Sequence, residues 1–373
     1  MESFEKTIKN CNLFRATTFN NQLSVYAGQI HKEIKGLVLD KLKKEEGKNL
    51  LLIDLAKYIE FLIKDKTSKF VNQYNKQLDV KNEEGFTKIE NYGVAFPVGL
   101  SINEVAAHWT PSFSEKRTLK EDDLIKIDFG VHLDGCIADS AFTFSYSNKY
   151  DELLKVGREA TDLGIKNSGA DAILGEIGKE VQEFIESKEI EIDSNKYNLK
   201  SIRDLTGHKI LPYMIHADKS VPNFACNYPV RMEEGEFYAI ETYPSTGSGK
   251  VEQDLEVSHY AVNNDLLVKE YREINMIGED NELTGGKIKN FIRLDKRENF
   301  LWKDIMSFRD TLPFCNRWLK ERGIKNYQLP LKSLVNKNRI VSYPPLKDIK
   351  GSYVCQFEET IYIRDSGCVV LTS

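Results

Sequence analysis

The chain has 373 residues, and 52 Lys+Arg against 57 Asp+Glu leave a net charge of -5. Such a near balance excludes wholesale binding to nucleic acid or an anionic membrane surface, and the length admits either two domains or one large core carrying an insertion. Six cysteines without a C-x-x-C pair exclude a zinc knuckle and a disulfide scaffold, and fit a reducing compartment.

The opening MESFEKTIKN lacks a basic n-region and an apolar h-region. The apolar run 50–63 is interrupted by Asp54, Lys57 and Glu60, too often for a membrane span. A cytoplasmic protein is expected. Leu23, Tyr26, Ile30, Ile34 and Leu37, and then Leu52, Leu55, Ile59 and Leu62, recur at helical spacing and predict two amphipathic helices. Residues 65–90 are polar and read as a loop or weak strand. Gly and Pro punctuation over 91–111, the stretch that holds His108, predicts short strands and turns.

Residues 124–146, LIKIDFGVHLDGCIADSAFTFSY, read as two antiparallel strands broken over 131–135. Side chains alternate along a strand, so Lys126 and Asp128 share one face of the first strand, and Ile137, Asp139, Ala141 and Thr143 share one face of the second. The two carboxylates can therefore meet across the ladder. A buried carboxylate needs a cation, a set of donors or a metal; an Asp bonded to backbone amides at a strand end, or a surface salt bridge, remain alternatives for this stretch alone.

Two helices are expected within 150–188 and a hairpin within 189–203. His208 and His216 follow in a segment too rich in Pro and Gly for a zincin helix. FYAIETY reads as a strand carrying Glu241, and STGSG as a turn, because no phosphate-loop spacing accompanies it. LEVSHYAV, with His259, is another strand, residues 262–341 turn Lys/Arg-rich and helical, and a last strand pair holds Glu358. Asp128, Asp139, His208, Glu241 and Glu358 thus offer one imidazole and four carboxylates, a set suited to Mn²⁺, Co²⁺, Fe²⁺ or Zn²⁺. Four negative charges exceed what one dication balances. Two dications about 3.5–4 Å apart could share carboxylates and hold a hydroxide between them. His31 reads as a surface residue and His132 as a structural one.

The segments AFPVGLSINEVAAHWTP, KIDFGVHLDGCIADSAFTF, GHKILPYMIH, RMEEGEFYAIETYPSTG, EVSHYA and YPPLKDIKGSYVCQFEETI, in that order, resemble type 2 methionine aminopeptidases. The resemblance implies an α+β pita-bread fold, a curved antiparallel sheet flanked by helices, with residues 1–259 and 344–373 forming the catalytic domain and 260–343 a helical insertion. It implies that Asp128, Asp139, His208, Glu241 and Glu358 bind the metals, two divalent ions per chain. The activity implied is removal of the N-terminal methionine from nascent polypeptides, at the ribosome or free of it, when the second residue is small and uncharged. No nucleic acid or membrane partner and a monomeric chain are expected.

His108 falls on the histidine of the family's A-A-H-x-T-P, and His216 on that of R-x-I-H. Peptide hydrolysis needs an activated water, a polarised carbonyl and a proton for the leaving amine. Glu241 is the expected general acid/base, with His108 and His216 as hydrogen-bond partners of the peptide. Phe96, Ile215, His259 and Tyr343, with His108 and His216, align with family positions around the bound substrate. Lys209, Glu359 and Pro313 depart from the family pattern; the first two are expected to shift metal affinity and the third to reshape the pocket rim. A non-catalytic pita-bread protein would have lost ligands. A prolidase or X-Pro aminopeptidase would share the metal set but normally adds an N-terminal domain and lacks the 260–343 insertion.

Overall fold

The structure, a computed structural model, describes residues 6–8, 10–15, 21–44, 47–81, 87–253, 256–279 and 293–373. Its centre is a nine-stranded antiparallel sheet formed by β1 (Tyr92–Val94), β2 (Gly99–Ile102), β3 (Ile125–Leu133), β4 (Cys136–Phe144), β5 (Gly207–Ile210), β6 (Ser220–Val221), β7 (Phe237–Thr242), β8 (Phe357–Ile363) and β9 (Cys368–Val370). The strand order is β1-β3-β4-β8-β7-β5-β6, with β2 added to β3 and β9 to β8.

The β3–β4 hairpin is longer than the sequence reading allowed, because pairing continues to Leu133 and Cys136 and only Asp134–Gly135 turns. Both turn residues have positive φ, 46° and 80°. That is the backbone of a two-residue turn whose twist matches its flanking strands. Asp134 fixes it further by accepting from the amides of Asn91 at 2.6 Å and Glu90 at 3.1 Å.

Alternation sorts the hairpin into two buried faces. Ile125, Ile127, Phe129, Val131, Leu133, Ala138 and Phe142 join the large apolar core against the helices, and full burial of each large member contributes about 1.5–3 kcal/mol. α1 (Asn21–Lys43) lies on β3 and β4, and α2 (Leu52–Lys81) packs on α1 and β1. α3 (Asp151–Lys166) covers β7 and β8, with α4 (Leu174–Glu186) beside it. The opposite face of the hairpin carries Asp128, Gly130, Ile137, Asp139 and Ala141.

Two expectations need correction here. Residues 65–81 are helix, since α2 continues its inward face through Ile63, Thr67 and Val71 to Tyr74. His31 is fully buried rather than superficial: on the sheet-facing side of α1 its Nε2 sits 2.8 Å from the Phe129 carbonyl and its ring stacks on the Phe129 ring at 4.0 Å. Burial lowers its pKa to about 3, so it is a neutral core group. His132 is buried, in keeping with a structural residue.

Between residues 260 and 343 the described chain is mostly helical, with helices at Asn264–Glu279, Lys296–Phe308, Asn316–Glu321 and Gln328–Asn336. Residues 280–292 of the expected insertion lie outside the described residues. Its two ends meet: His259 pairs with Tyr343 and Val262 with Ile340, and Phe314–Cys315 completes a small three-stranded sheet. Arg317 ties this region to α2 by donating to Glu60 at 2.6 and 3.1 Å, and Trp318 donates to the same carboxylate at 3.0 Å.

Candidate active site

Strand register puts the candidate ligands into two adjacent rows on one face of the sheet. Asp128 opposes Ala141, Ala141 opposes Glu358, and Glu358 opposes Glu241, which makes the first row across β3, β4, β8 and β7. One pleat along, Gly130 opposes Asp139, and Thr360 opposes Ala239, which opposes His208. Thr360 closes the gap in this second row, since its hydroxyl accepts from the Asp139 amide at 2.7 Å and donates to the Asp139 carbonyl at 2.6 Å. Directly opposed residues sit about 4.5–5.5 Å apart. Acidic side chains on adjacent strands therefore converge, and Ala141, Gly130 and Ala239 add no bulk between them.

Asp139, His208 and Glu358 each offer a ligand atom within 4.8 Å of the others. His208 Nε2 lies 3.6 Å from Asp139 Oδ2 and 3.9 Å from Glu241 Oε1. Asp128 and Glu241 meet at the amide of Gln356, whose Nε2 is 3.4 Å from Asp128 Oδ2, from Glu241 Oε2 and from Glu358 Oε2. All five ligand candidates are thus drawn into one buried cluster.

Among the described residues no lysine or arginine pairs with any of these four carboxylates. Lys126, on the same face as Asp128, donates instead to the Asn103 carbonyl at 2.7 Å. Burial raises Asp128 to about 7 and Glu241 to about 8, and lifts Asp139 and Glu358 well above the usual carboxylate range, with the neighbouring carboxylates adding repulsion. Burial, then the nearby His216, holds His208 well below the usual imidazole range, so it presents a neutral nitrogen. Asp128 Oδ1 and Asp139 Oδ1 are buried without a hydrogen-bond partner. Orphaned buried oxygens in a cation-free acidic cluster are costly unless a positive ion joins them. The donor set fits divalent metal, since oxygen-rich sites with one imidazole suit hard and borderline dications.

A cavity of about 290 Å³ opens over this cluster, and Phe96, His108, Ile215, His216, His259, Pro313 and Tyr343 line it. His108 follows Val105–Ala107 with φ of 63°, a left-handed conformation that costs a non-glycine residue roughly 1 kcal/mol or more and recurs at functional sites. Its ring centroid lies 5.8 Å from that of Tyr343 and 6.3 Å from that of His259. His216 stands edge-on to His208 at 4.3 Å. Burial lowers His108 to about 4 and His259 to about 3, so both rings are neutral near pH 7. Phe96 occupies the space left by Gly130, where a Cβ would come within 2.4 Å of its ring.

Two of the departures from the family pattern face away from the cluster. Lys209 alternates with His208 and pairs with Glu236 at 2.8 Å and Asp218 at 3.2 Å. Glu359 alternates with Glu358 and pairs with Lys35 of α1 at 3.0 Å. Neither side chain points into the cluster, although the Glu359 carboxylate, next in sequence to Glu358, adds to the repulsion that raises the Glu358 carboxyl. Pro313 does line the cavity.

Gln356 and Tyr243 escaped the sequence reading. Gln356 Nε2 also donates to the Tyr243 hydroxyl at 2.9 Å, and Tyr243 donates to Glu241 Oε2. Their signal was available: each lies two residues from a ligand candidate, Gln356 from Glu358 and Tyr243 from Glu241, the spacing that returns a strand to the same face.

The sequence from 27 to 270 matches metallopeptidase family M24. Methionine aminopeptidase 2A of Arabidopsis thaliana is 40% identical over 338 residues, covering 91% of this chain and 67% of that protein. Methionine aminopeptidase 2-1 of Fusarium vanettenii is 47% identical over 272 residues, 73% of this chain, and the match spans 56% of the Fusarium protein's length. Among solved structures, a thermophilic Arx1 superposes with a TM-score of 0.68 at 16% identity, covering 95% of this chain and 91% of that one. Methionine aminopeptidase of Thermotoga maritima superposes with a TM-score of 0.55 at 17% identity, covering 94% and 96%. These structural likenesses speak to the fold, which is the pita-bread arrangement. Together with the M24 match and the relatives' identity, they make the conclusion plain: the chain belongs to metallopeptidase family M24, among the methionine aminopeptidases of type 2.

Proposed function

We propose that the protein is a methionyl aminopeptidase that removes the N-terminal methionine from polypeptides whose second residue is small and uncharged. The observation that carries this reading is the two-row cluster of Asp128, Asp139, His208, Glu241 and Glu358, without a lysine or arginine partner among the described residues, lining a largely apolar cavity. Those five residues would hold divalent metal. One dication would leave the four carboxylates with a surplus of two negative charges, whereas two would leave none, so two ions per chain are proposed, drawn from Co²⁺, Mn²⁺, Fe²⁺ and Zn²⁺. When bound, such ions supply activation of water at neutral pH and polarisation of the scissile carbonyl.

The chain's own side chains complete the chemistry. Glu241 is assigned as general acid/base: one carboxylate oxygen takes the proton of the attacking water and delivers it to the departing amine nitrogen as the C–N bond breaks. Tyr243 and Gln356 orient that carboxylate from its other side. His108 and His216, neutral donors in the cavity lining, hydrogen-bond the peptide as charge builds on its oxygen. Phe96, Ile215, His259 and Tyr343 enclose the methionine side chain, and Pro313 shapes the rim. The substrates in this reading are the N-termini of newly made polypeptides. No helix among the described residues is long and apolar enough to cross a membrane.

Metal content combined with peptide cleavage tests the proposal. Purified protein should bind divalent metal and release methionine from Met-Ala-Ser while leaving X-Pro peptides intact. Cleavage of X-Pro peptides in preference would move the protein to a prolidase-type activity on the same fold, and a metal-free, inactive protein would leave a non-catalytic pita-bread role.

A further inference from the structure

The cavity bridges two separate apolar clusters. Phe96 and Ile215 belong with Ala95, Leu312 and Leu371 in one. Leu205, Tyr243 and Leu346 belong with Ala106, Ile202 and Val354 in the other. The acidic cluster lines the same cavity, so a peptide whose methionine is enclosed by Phe96 and Ile215 must leave past other parts of the lining. Next to Leu205 of the second cluster, Asp204 also lines the cavity. Among the described residues, apart from the four carboxylates of the cluster it is the one acidic or basic side chain, histidines aside, in the cavity lining, and unlike them it is exposed.

Asp204 is held in place without being neutralised. Its Oδ2 accepts from the Val251 amide at 3.0 Å. Its neighbour Arg203 turns to Glu186, 3.8 Å away, as does Lys200. Among the described residues no lysine or arginine pairs with Asp204. A fixed, unpaired carboxylate at the mouth of a low-dielectric cavity attracts cations and repels anions.

We infer that Asp204 is a specificity-determining residue for the substrate chain beyond the cleaved bond, favouring polypeptides with Lys or Arg at the third or fourth residue over those with Asp or Glu. The inference rests on the proposed aminopeptidase activity and extends it to the downstream part of the substrate. The charge pair it describes is exposed, so the discrimination is modest and salt-sensitive, about two- to fivefold in kcat/KM at low ionic strength.

The test uses the full metal-loaded chain and a peptide set with the first two residues fixed as Met-Ala and Lys, Ser or Glu placed at the third or fourth position. The expected result is a Lys-over-Glu ratio above one at one or both positions, shrinking as salt is raised. In Asp204→Asn the ratio falls toward one, and in Asp204→Lys it inverts. Because each ratio is taken within one enzyme, partial loss of folded protein does not distort it. A ratio of one at both positions, or a wild-type ratio retained in Asp204→Asn, would overturn the inference while leaving the aminopeptidase reading intact. Failure of the wild type to cleave the all-neutral Met-Ala-Ser-Ser peptide overturns both.

Discussion

Arg309 Nη2 donates to the carbonyl of Ala95 at 2.6 Å, one residue before Phe96. The same guanidinium donates to the carbonyls of Val94 and Pro313, each at 2.9 Å, and lies over the Trp318 ring at 5.0 Å. One side chain therefore fastens both walls of the expected methionine pocket, the strand leading to Phe96 and the turn at Pro313. Burial lowers its pKa only to about 10, so it stays charged at neutral pH.

Arg309→Met removes three donors and leaves those carbonyls short of partners. Hydrogen bonds to charged groups contribute about 1.5–3 kcal/mol each, so losing all three should cost upwards of about 4 kcal/mol in unfolding free energy. Urea denaturation measures it. KM for Met-Ala-Ser should rise and the preference for Met over Leu at the first position should narrow. Arg309→Lys, which keeps the charge but not the planar fork, should recover part of the stability and little of the selectivity. An Arg309→Met protein with wild-type selectivity would show that these bonds serve folding alone.

A second prediction concerns Gln356, whose amide reaches three of the four carboxylates. Residues that orient metal ligands typically influence metal affinity or activity by about 10–100-fold. Gln356→Leu should weaken Mn²⁺ binding, followed by calorimetry, within that range, and should leave the melting temperature of the metal-free protein little changed. Undiminished affinity would mean that the carboxylates hold their positions without it.

The metal-free protein should also show an unusual pH dependence. Asp128 and Glu241 are raised to about 7 and 8, and Asp139 and Glu358 are raised well above the usual carboxylate range, all from unfolded values near 4. A raised folded pKa means that the folded state binds protons more tightly, so this contribution is fully present below about pH 4 and is lost as pH climbs through about 7 to 8. With chelator present the melting temperature should fall between about pH 6 and pH 8, and a divalent ion should restore it most at the upper end. Asp128→Ala should abolish metal binding and activity yet raise the chelated protein's stability at pH 8, because one buried like charge is gone. A chelated wild type that grows more stable across that interval would contradict the reading of the cluster as mutually repelling.

How much of this was legible beforehand depends on which force sets each feature. The hairpin and the acidic side chains of β3, β4, β7 and β8 could be read because polar groups inside β-branched runs break a period of two. Helix α2 beyond residue 65 could not, since Thr67, Phe70, Val71 and Tyr74 mark its inward face too sparsely and tertiary packing overrides the polar surroundings. His31 looked superficial for the opposite reason: a lone imidazole between Ile30 and Ile34 gives no sign of a carbonyl waiting on the neighbouring strand. Alternation alone places Lys209 and Glu359 each on the far face from the ligand beside it, which the adjacency of the residues in sequence hides. Arg309 and Asp204 were invisible because their partners, Ala95 and Val251, are distant in sequence or are bare backbone.

The last prediction takes up His108. Its ring lines the cavity without being among the ligand candidates, and burial lowers its pKa to about 4. An unprotonated imidazole is a nucleophile, and an ordinary histidine loses that character as pH falls below about 6.5. His108 should keep it. The likeness to type 2 methionine aminopeptidases carries the expectation that the spiro-epoxide of fumagillin alkylates this position, and the lowered pKa adds a rate that stays nearly constant between about pH 8 and pH 6. Intact-mass measurement over time gives the rate, and peptide mapping gives the site. His108→Ala should resist modification and lose about 10²-fold or more in kcat, the scale of one lost hydrogen-bonding or proton-handling group in the transition state. Modification confined to His216, or a rate that drops tenfold over that interval, would mean that the nucleophile facing the cavity is not the buried, neutral His108 described here.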